Sequence, residues 1–467
     1  MKYSGWKWLF FLALCFIPFL CSRCTTRSPD LNLVFVSIDT LRADHLGCYG
    51  YDRDTSPNID RFAKNGILFK NAFSHSPKTA PSHMSMFTSQ YSTVHGVFMF
   101  DRRRGAIPYV LDEKITPLAE ILAQNDYTCV GFTGGGNVSE EYGFNRGFHI
   151  YDSSQNHWKK GIAWLRNNYQ KKFFVFFHTY AVHDPYLPPE PYFSMFDPEY
   201  KGKIARIDKQ GDWFKHKDAF WDNVDKNDPR DIRHLIALYD GSIKYMDDRL
   251  MKPLFAVLEE LDLLDKTVIV FTSDHGEEFK EHGQFVHEQV YDELLHVPLI
   301  LSLPSFLAEE VKVKAPDVQV RLIDLMPTIL DLLDIKHSQR DLQGVSLRPV
   351  MAGKEKDDRI LYGCRIPSWS QNKPRIRNNV IRQKGFKLIH NVRNKQKPWE
   401  LYDLSSDPGE KISLHDEQRE KANELTGLLR QIIKENQQFK ESRGYRARHA
   451  KFEKDTLQKL RALGYIE

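Results

Sequence analysis

Four short apolar runs constrain this chain most. They are LNLVFVSIDT (31–40), KKFFVFFHTY (171–180), KTVIVFTSDHGEE (266–278) and VPLILSLP (297–304). Each is too short for a core helix, and the first three end abruptly in polar residues. A strand that is apolar on every position has both faces buried. Helical patterns separate the runs, for example SPNIDRFAKNG (56–66), with a Ser-Pro start and a Gly stop. Segment 115–125 reads as another helix, followed by the strand YTCVGFT. Buried strands alternating with helices predict an α/β fold with a mostly parallel sheet flanked by helices. Ligands in such sheets bind beyond the carboxyl ends of the strands. Asp39, His178, Asp274 and His275 all fall at such ends.

The flanking regions read differently. Residues 190–235 are polar, with many Asp, Lys and aromatic residues, and predict a long surface excursion of the kind that forms a lid. VRLIDLMPTILDLLDI (320–335) reads as the helix that closes the large unit. NNVIRQKGFKLIHN and WELYDLSSDPGE read as strands of a small, more antiparallel α+β subdomain. The charged tail from about 416 reads as helical with a solvated face. The expected organisation is a leader at 1–28, a catalytic domain at 30–336, a small C-terminal subdomain at 337–415 and a helical tail at 416–467.

The leader carries Lys2 and Lys7 before an apolar run from Trp8 to Leu20. A span needs about 20 apolar residues, so this reads first as a secretory signal. A lipid-modified Cys21 or Cys24 and an uncleaved anchor are the alternatives, which leaves membrane attachment by the N-terminus open. The expected location is exported: periplasmic, extracellular or facing outward from a membrane. The net charge of +4 over 467 residues gives no warrant for a nucleic-acid partner. Cys48, Cys129 and Cys364 are too widely spaced for a disulfide framework or a zinc knuckle.

The strand-end residues suggest chemistry when taken with SPKTAPSHMSMFTS (76–89), a turn entering a helix. Asp39, Asp274 and His275, with the Thr79 hydroxyl, make a ligand set for one divalent cation. Two carboxylates, an imidazole and an alkoxide suit Zn or Mn better than Ca. Such an ion would acidify the hydroxyl and polarise a substrate, and the helix start would favour an anion. Attack by Thr79 on an oxyanion ester would then form a covalent threonyl intermediate. The plain readings compete: Asp39 and Asp274 as helix caps, His275 as a loop histidine and Thr79 as part of a capping arrangement.

The segment NLVFVSIDTLRADHLGCYGYDRDTSPNIDRFAKNGILFKNAFSHSPKTAPSHMSMFTS resembles the opening of the sulfatase family, in the alkaline phosphatase superfamily. The likeness continues through FFHTYAVHDPYLPP, VIVFTSDHGEEFKEHGQFVHEQVYDELLHVPLIL, LQGVSLRPVMAGK and WELYDLSSDPGE, in family order. It implies an alkaline phosphatase-like fold and an ester hydrolase acting on anionic substrates: sulfated or phosphorylated glycans, lipids or small molecules. It also admits Ca as the metal. By resemblance, Asp39 matches the first metal carboxylate, and Asp274 with His275 match the second metal pair. Thr79 falls on the nucleophile of the C/S-x-P-S-R motif, and His83 takes the place of its Arg as a substrate-binding candidate. His183 matches a histidine near the leaving group, and His287 stands where the family has a substrate-binding Lys. Both are catalytic candidates. His178 is a second substrate-binding candidate, with a satisfied core histidine as its plain reading.

The departures are as informative. Thr40 replaces a family carboxylate, and GFTGGGN (131–137) replaces a GKWHLG stretch. Threonine carries a β-methyl, so oxidation of Thr79 would give a ketone, and formylglycine is not expected. The remaining Asp, Thr, Asp, His set resembles single-metal phosphoethanolamine and lipoteichoic acid transferases, which work through a phosphothreonine. Three readings therefore stand: a sulfate or phosphate ester hydrolase, a phosphodiesterase or phosphotransferase, and a degenerate member that binds anionic glycans or lipids. His95, His282 and His296 read as packing or structural residues, DRRRG (101–105) as a solvated charge run, and Asn137 opens a glycosylation sequon.

Overall fold

The computed structural model describes Met1 and residues 30–98, 108–154, 156–206, 217–366, 369–370, 373–446 and 448–463. The leader readings at 1–28 and the DRRRG run lie outside the described residues. No helix among the described residues is long and apolar enough to cross a membrane.

The large sheet has eight strands, labelled in chain order: β1 Asn32–Ile38, β2 Ile67–Phe73, β3 Thr128–Phe132, β4 Ile150–Asp152, β5 Phe173–Thr179, β6 Thr267–Ser273, β7 His296–Ser302 and β8 Val320–Arg321. Their spatial order is β8-β2-β7-β6-β1-β5-β3-β4. All neighbours pair in parallel except β7, which runs against both β2 and β6. The mixed α/β, mostly parallel architecture expected of the apolar runs is present. The sequence reading passed over β2, whose polar Lys70 and Asn71 interrupt its apolar pattern.

Because every position of β1, β5 and β6 is buried, alternate side chains feed two cores. Leu33, Phe35, Phe174, Phe176, Val268 and Val270 enter one. Val34, Val36, Val175, Phe177, Ile269 and Phe271 enter the other. This period-two division across one sheet is why these runs carry no amphipathic alternation.

Where it is described, segment 190–235 runs largely over the surface, with most residues exposed or half-buried, but it is anchored into the core at intervals. Tyr192, Phe193, Tyr200, Ile204, Phe220 and Val224 are buried. The helix Pro229–Met246 begins inside the segment, capped by the Asp228 side chain accepting from Arg230 N at 2.8 Å. Its aromatic residues, not its charges, anchor it. One reading needs correction: segment 320–335 is not one helix. Val320–Arg321 adds a parallel edge strand to β2, a short 3-10 turn follows, and the helix spans only Leu325–Leu332.

A second, antiparallel sheet follows: β9 Leu361–Arg365, β10 Asn378–Gln383, β11 Phe386–Asn391 and β12 Trp399–Asp403. The helix Arg419–Arg443 covers it, burying Ala422, Leu425 and Leu429 with Ile381, Leu388 and Leu401. The charged tail therefore has one apolar face. The last helix, Lys454–Ala462, returns to the large unit, where Leu460 and Leu463 join the first core.

Candidate metal and ester site

Register brings the site together. Ile38 pairs with Ser273 on one side and Thr179 on the other. The residues immediately beyond β1 and β6, Asp39 and Asp274, therefore lie side by side on central strands. His178 stands near the same end of β5. Facing them is the helix Thr79–Thr88, all ten residues of which are buried. Phe87 of that helix packs edge-on against Phe35 and Phe176, with centroids 5.7 and 4.9 Å away. This aromatic contact presses Thr79, the first helical residue, against the strand ends.

One ligand atom from each of Asp39, Asp274 and His275 can lie within 4.8 Å of the others. All three residues are buried, as is Thr79. His275 Nδ1–H donates to Gly276 O at 2.9 Å. That fixes the tautomer with the lone pair on Nε2, which lies 3.4 Å from Asp274 Oδ2 and 3.5 Å from Thr79 Oγ1. Asp274 Oδ1 accepts from Thr40 N at 3.3 Å. Both oxygens of Asp39 and Oδ2 of Asp274 lack a well-formed hydrogen bond.

Buried carboxylate oxygens without donors are costly, and this pair shows the strain. Burial, and then the Asp274 charge, raise Asp39 well above the carboxylate range. Burial pushes Asp274 up to about 7. A divalent cation would meet these oxygens and the Nε2 lone pair together, so the donor set fits one. A second cluster, Glu278, His282 and Glu293, has similar spacing. Its groups are already engaged: Glu278 accepts from His282 N, Gln284 N and Gln289 Nε2 at 3.0–3.1 Å, and His282 pairs with Glu293 at 2.5 Å.

The other sequence candidates lie around this centre. His83 is fully buried behind Thr79, its Nε2 2.8 Å from Ser37 Oγ and its Nδ1 3.0 Å from Thr79 O. Burial takes it down to about 4, so it is neutral. His178 Nδ1 accepts from Gly134 N at 3.3 Å, which leaves the proton on Nε2, 3.5 Å from Asp39 Oδ2. His183 Nδ1 donates to Asp184 O at 2.7 Å and lies 3.0 Å from its carboxylate. His287 Nδ1 lies 3.1 Å from Glu277 Oε1. The His287 ring stands 4.7 Å from that of His275 and 5.3 Å from that of His183. All eight sequence candidates thus fall in one connected cluster.

Sequence reasoning missed two contributors, Lys78 and Glu277. Lys78 is buried, pairs with Glu288 at 2.5 Å, and its charge bears on His275. Its adjacency to Thr79 was the available signal. Glu277 holds His287, and only the fold shows it. Thr40, already singled out in the sequence, has φ 57°, a left-handed conformation that a β-branched residue rarely adopts. Asn137, the sequon residue, is buried and accepts from Tyr142 OH at 3.2 Å, so the folded chain does not present it.

The Sulfatase family profile matches residues 31–335. The chain belongs to the sulfatase family. A second profile, N-sulphoglucosamine sulphohydrolase, C-terminal, matches residues 280–438. Among sulfatase relatives, the N-acetylglucosamine-6-O-sulfatase of Bacteroides thetaiotaomicron is 26% identical, over 88% of this chain and 87% of that protein. Arylsulfatase K of Gallus gallus is 26% identical, over 87% of this chain and 83% of that one. A structure solved in complex with its substrate D-glucosamine-2-N,6-O-disulfate superposes with a TM-score of 0.71 at 22% identity, covering 87% and 98% of the two chains. The phosphonate monoester hydrolase of Agrobacterium radiobacter gives 0.65 at 19% identity, covering 88% and 96%. The fold is the alkaline phosphatase-like architecture these sulfatase-family structures share.

Proposed function

We propose that this sulfatase-family protein is an exported hydrolase of sulfate or phosphate esters, and that Thr79 is its nucleophile. One observation carries the reading: Asp39, Asp274 and His275 converge on Thr79, while both oxygens of Asp39 and Oδ2 of Asp274 lack a well-formed hydrogen bond. Asp39, Asp274, His275 and the Thr79 hydroxyl would hold one divalent ion, with Zn or Mn favoured by the mixed N and O donors. When bound, it supplies charge that polarises the ester and acidifies the hydroxyl.

The protein's own groups do the rest. His83 holds Thr79 from behind through the Thr79 carbonyl. The Thr79 hydroxyl gives up its proton to water, its oxygen bonds to the sulfur or phosphorus, the bond to the leaving oxygen breaks, and that oxygen takes a proton from His183 or His287 in its imidazolium form. Asp184 and Glu277 orient those two rings. Water then cleaves the threonyl ester, one of its protons returning to that histidine and one to the Thr79 oxygen. The substrate class suggested by the relatives' names is a sulfated glycan.

A second reading follows from Thr79 itself. Its β-methyl bars formylglycine, so transfer of a phosphoryl group through a phosphothreonine competes with sulfate ester hydrolysis. Aryl sulfate, aryl phosphate monoester and aryl phosphodiester, assayed side by side on metal-loaded enzyme, decide between the two. Turnover of any of them that survives in Thr79→Ala would remove Thr79 from the mechanism.

A further inference from the structure

Where the loop after β6 meets the small sheet there is a cleft of about 1010 Å³. Strand register builds its wall: Arg365 pairs with Asn378, and Asn378 with Asn391, so three strand ends line up on one edge. Five cations line it, Arg365, Arg377, Arg393, Lys395 and Lys397, against two acids, Glu288 and Glu400. Glu400 is already satisfied by Tyr291 OH at 3.0 Å, Asn391 Nδ2 at 2.6 Å, Tyr402 OH and Lys397.

Arg365 is the least exposed of the five cations. Its side chain is only 15% exposed and its Nε has no hydrogen-bond partner. Burial, and then the Arg377 charge, pull it down to about 10. Its guanidinium is met by Glu288, and the same Glu288 carboxylate holds Lys78, the residue before Thr79. One glutamate thus joins the wall of the cleft to the nucleophile loop.

We infer that the cleft is a subsite for a second oxyanion, on the part of a glycan beyond the scissile ester, and that Glu288 is the internal counter-ion this oxyanion displaces. The inference rests on the ester-hydrolase reading for the word scissile, but not for the binding it predicts. A concave cleft lined by cations fits an anionic chain rather than a flat lipid surface. A sulfate or carboxylate there would meet Arg365 Nε and the cations of the hairpin between β11 and β12. Taking the place of Glu288 costs the protein one ion pair, so the site favours ligands carrying more than one anion.

The test measures binding alone, by anisotropy of labelled dextran sulfate on the full-length, metal-loaded protein, with neutral dextran as the blank. Arg393→Glu with Lys395→Glu should weaken binding at least tenfold. The same charge change at Lys171 and Lys266, at the opposite ends of β5 and β6, should change it less than twofold. Glu288→Gln should tighten it threefold or more. Equal weakening by both double variants would reduce the effect to net charge and overturn the subsite. Unchanged or weakened binding by Glu288→Gln, with its circular dichroism intact, would overturn the counter-ion role. Binding to phosphatidylglycerol vesicles but not dextran sulfate would assign the cleft to a membrane and overturn the proposal. A protein that binds as expected yet hydrolyses no ester would retire the hydrolase reading and keep the subsite.

Discussion

His275 Nε2 lies 3.5 Å from Thr79 Oγ1, although 195 residues separate the two in the chain. The imidazole is locked by its Nδ1–H bond to Gly276 O. Its lone pair therefore faces the hydroxyl and Asp274 at once, an arrangement that suits a shared cation better than direct proton transfer.

Thr79→Ala should lower turnover of every ester substrate by about a thousandfold or more, the scale of losing a covalent nucleophile. Thr79→Ser should keep measurable activity, since it keeps the oxygen. Metal content by elemental analysis should fall little in either variant, because Asp39, Asp274 and His275 remain. Full activity in the alanine variant would exclude the nucleophile role.

Metal removal should destabilise the protein more as pH rises. With no cation present, Asp39 and Asp274 have raised folded pKa values, Asp274 about 7 against about 4 unfolded. The folded state then holds more protons than the unfolded one between those values, so stability falls as pH climbs through that window. A cation replaces those protons. The gap in thermal midpoint between metal-loaded and chelated protein should therefore widen from pH 5 to pH 8. A gap that is absent or independent of pH would refute the carboxylate ligand set.

Thr40→Asp should move metal preference toward calcium. Thr40 stands where the family resemblance places a further carboxylate, its N–H contacts Asp274, and Asp tolerates φ 57° better than Thr does. An added oxygen donor favours an oxygen-seeking ion. Calcium affinity by calorimetry should rise about tenfold or more, while the chelated protein loses stability from a third like charge. Unaltered calcium binding would show that this side chain does not reach the site.

His282 should act as a pH-dependent clamp away from the catalytic centre. Its Nδ1 pairs with Glu293 at 2.5 Å and its Nε2 lies 3.1 Å from Glu410 O. Burial alone would lower its pKa, but the Glu293 contact outweighs this and raises it. Stability from the pair is fully present below about 6.5 and is lost as pH rises through the raised folded value. The thermal midpoint should fall across that range in the parent protein. His282→Gln should flatten this part of the profile, and a profile unchanged by the substitution would count against the clamp.

The strands ending at Asp39, His178 and Asp274 were legible as buried β-structure because each is apolar on both faces. β2 was not, because Lys70 and Asn71 face outward on a strand nearer the edge. The surface course of segment 190–235 was legible from its charge density, but the aromatic residues that anchor it were not. Thr79 and its ligand candidates could be named from residue type, strand-end position and family likeness. What each histidine touches could not, because burial and tautomer depend on neighbours far away in sequence.

The local chemistry of the chain is therefore a property of its sequence: buried strands, polar strand ends, and a threonine where an oxidisable cysteine or serine is usual. Tertiary structure alone decided that Asp39 and Asp274 share one buried space, since that needs the parallel register Ile38 to Ser273. It also decided that Glu277 holds His287, and that Glu288 joins Lys78 on the nucleophile loop to Arg365 on the small sheet. Backbone pairing sets such distances, and side-chain pattern in one segment carries no information about the segment it will meet.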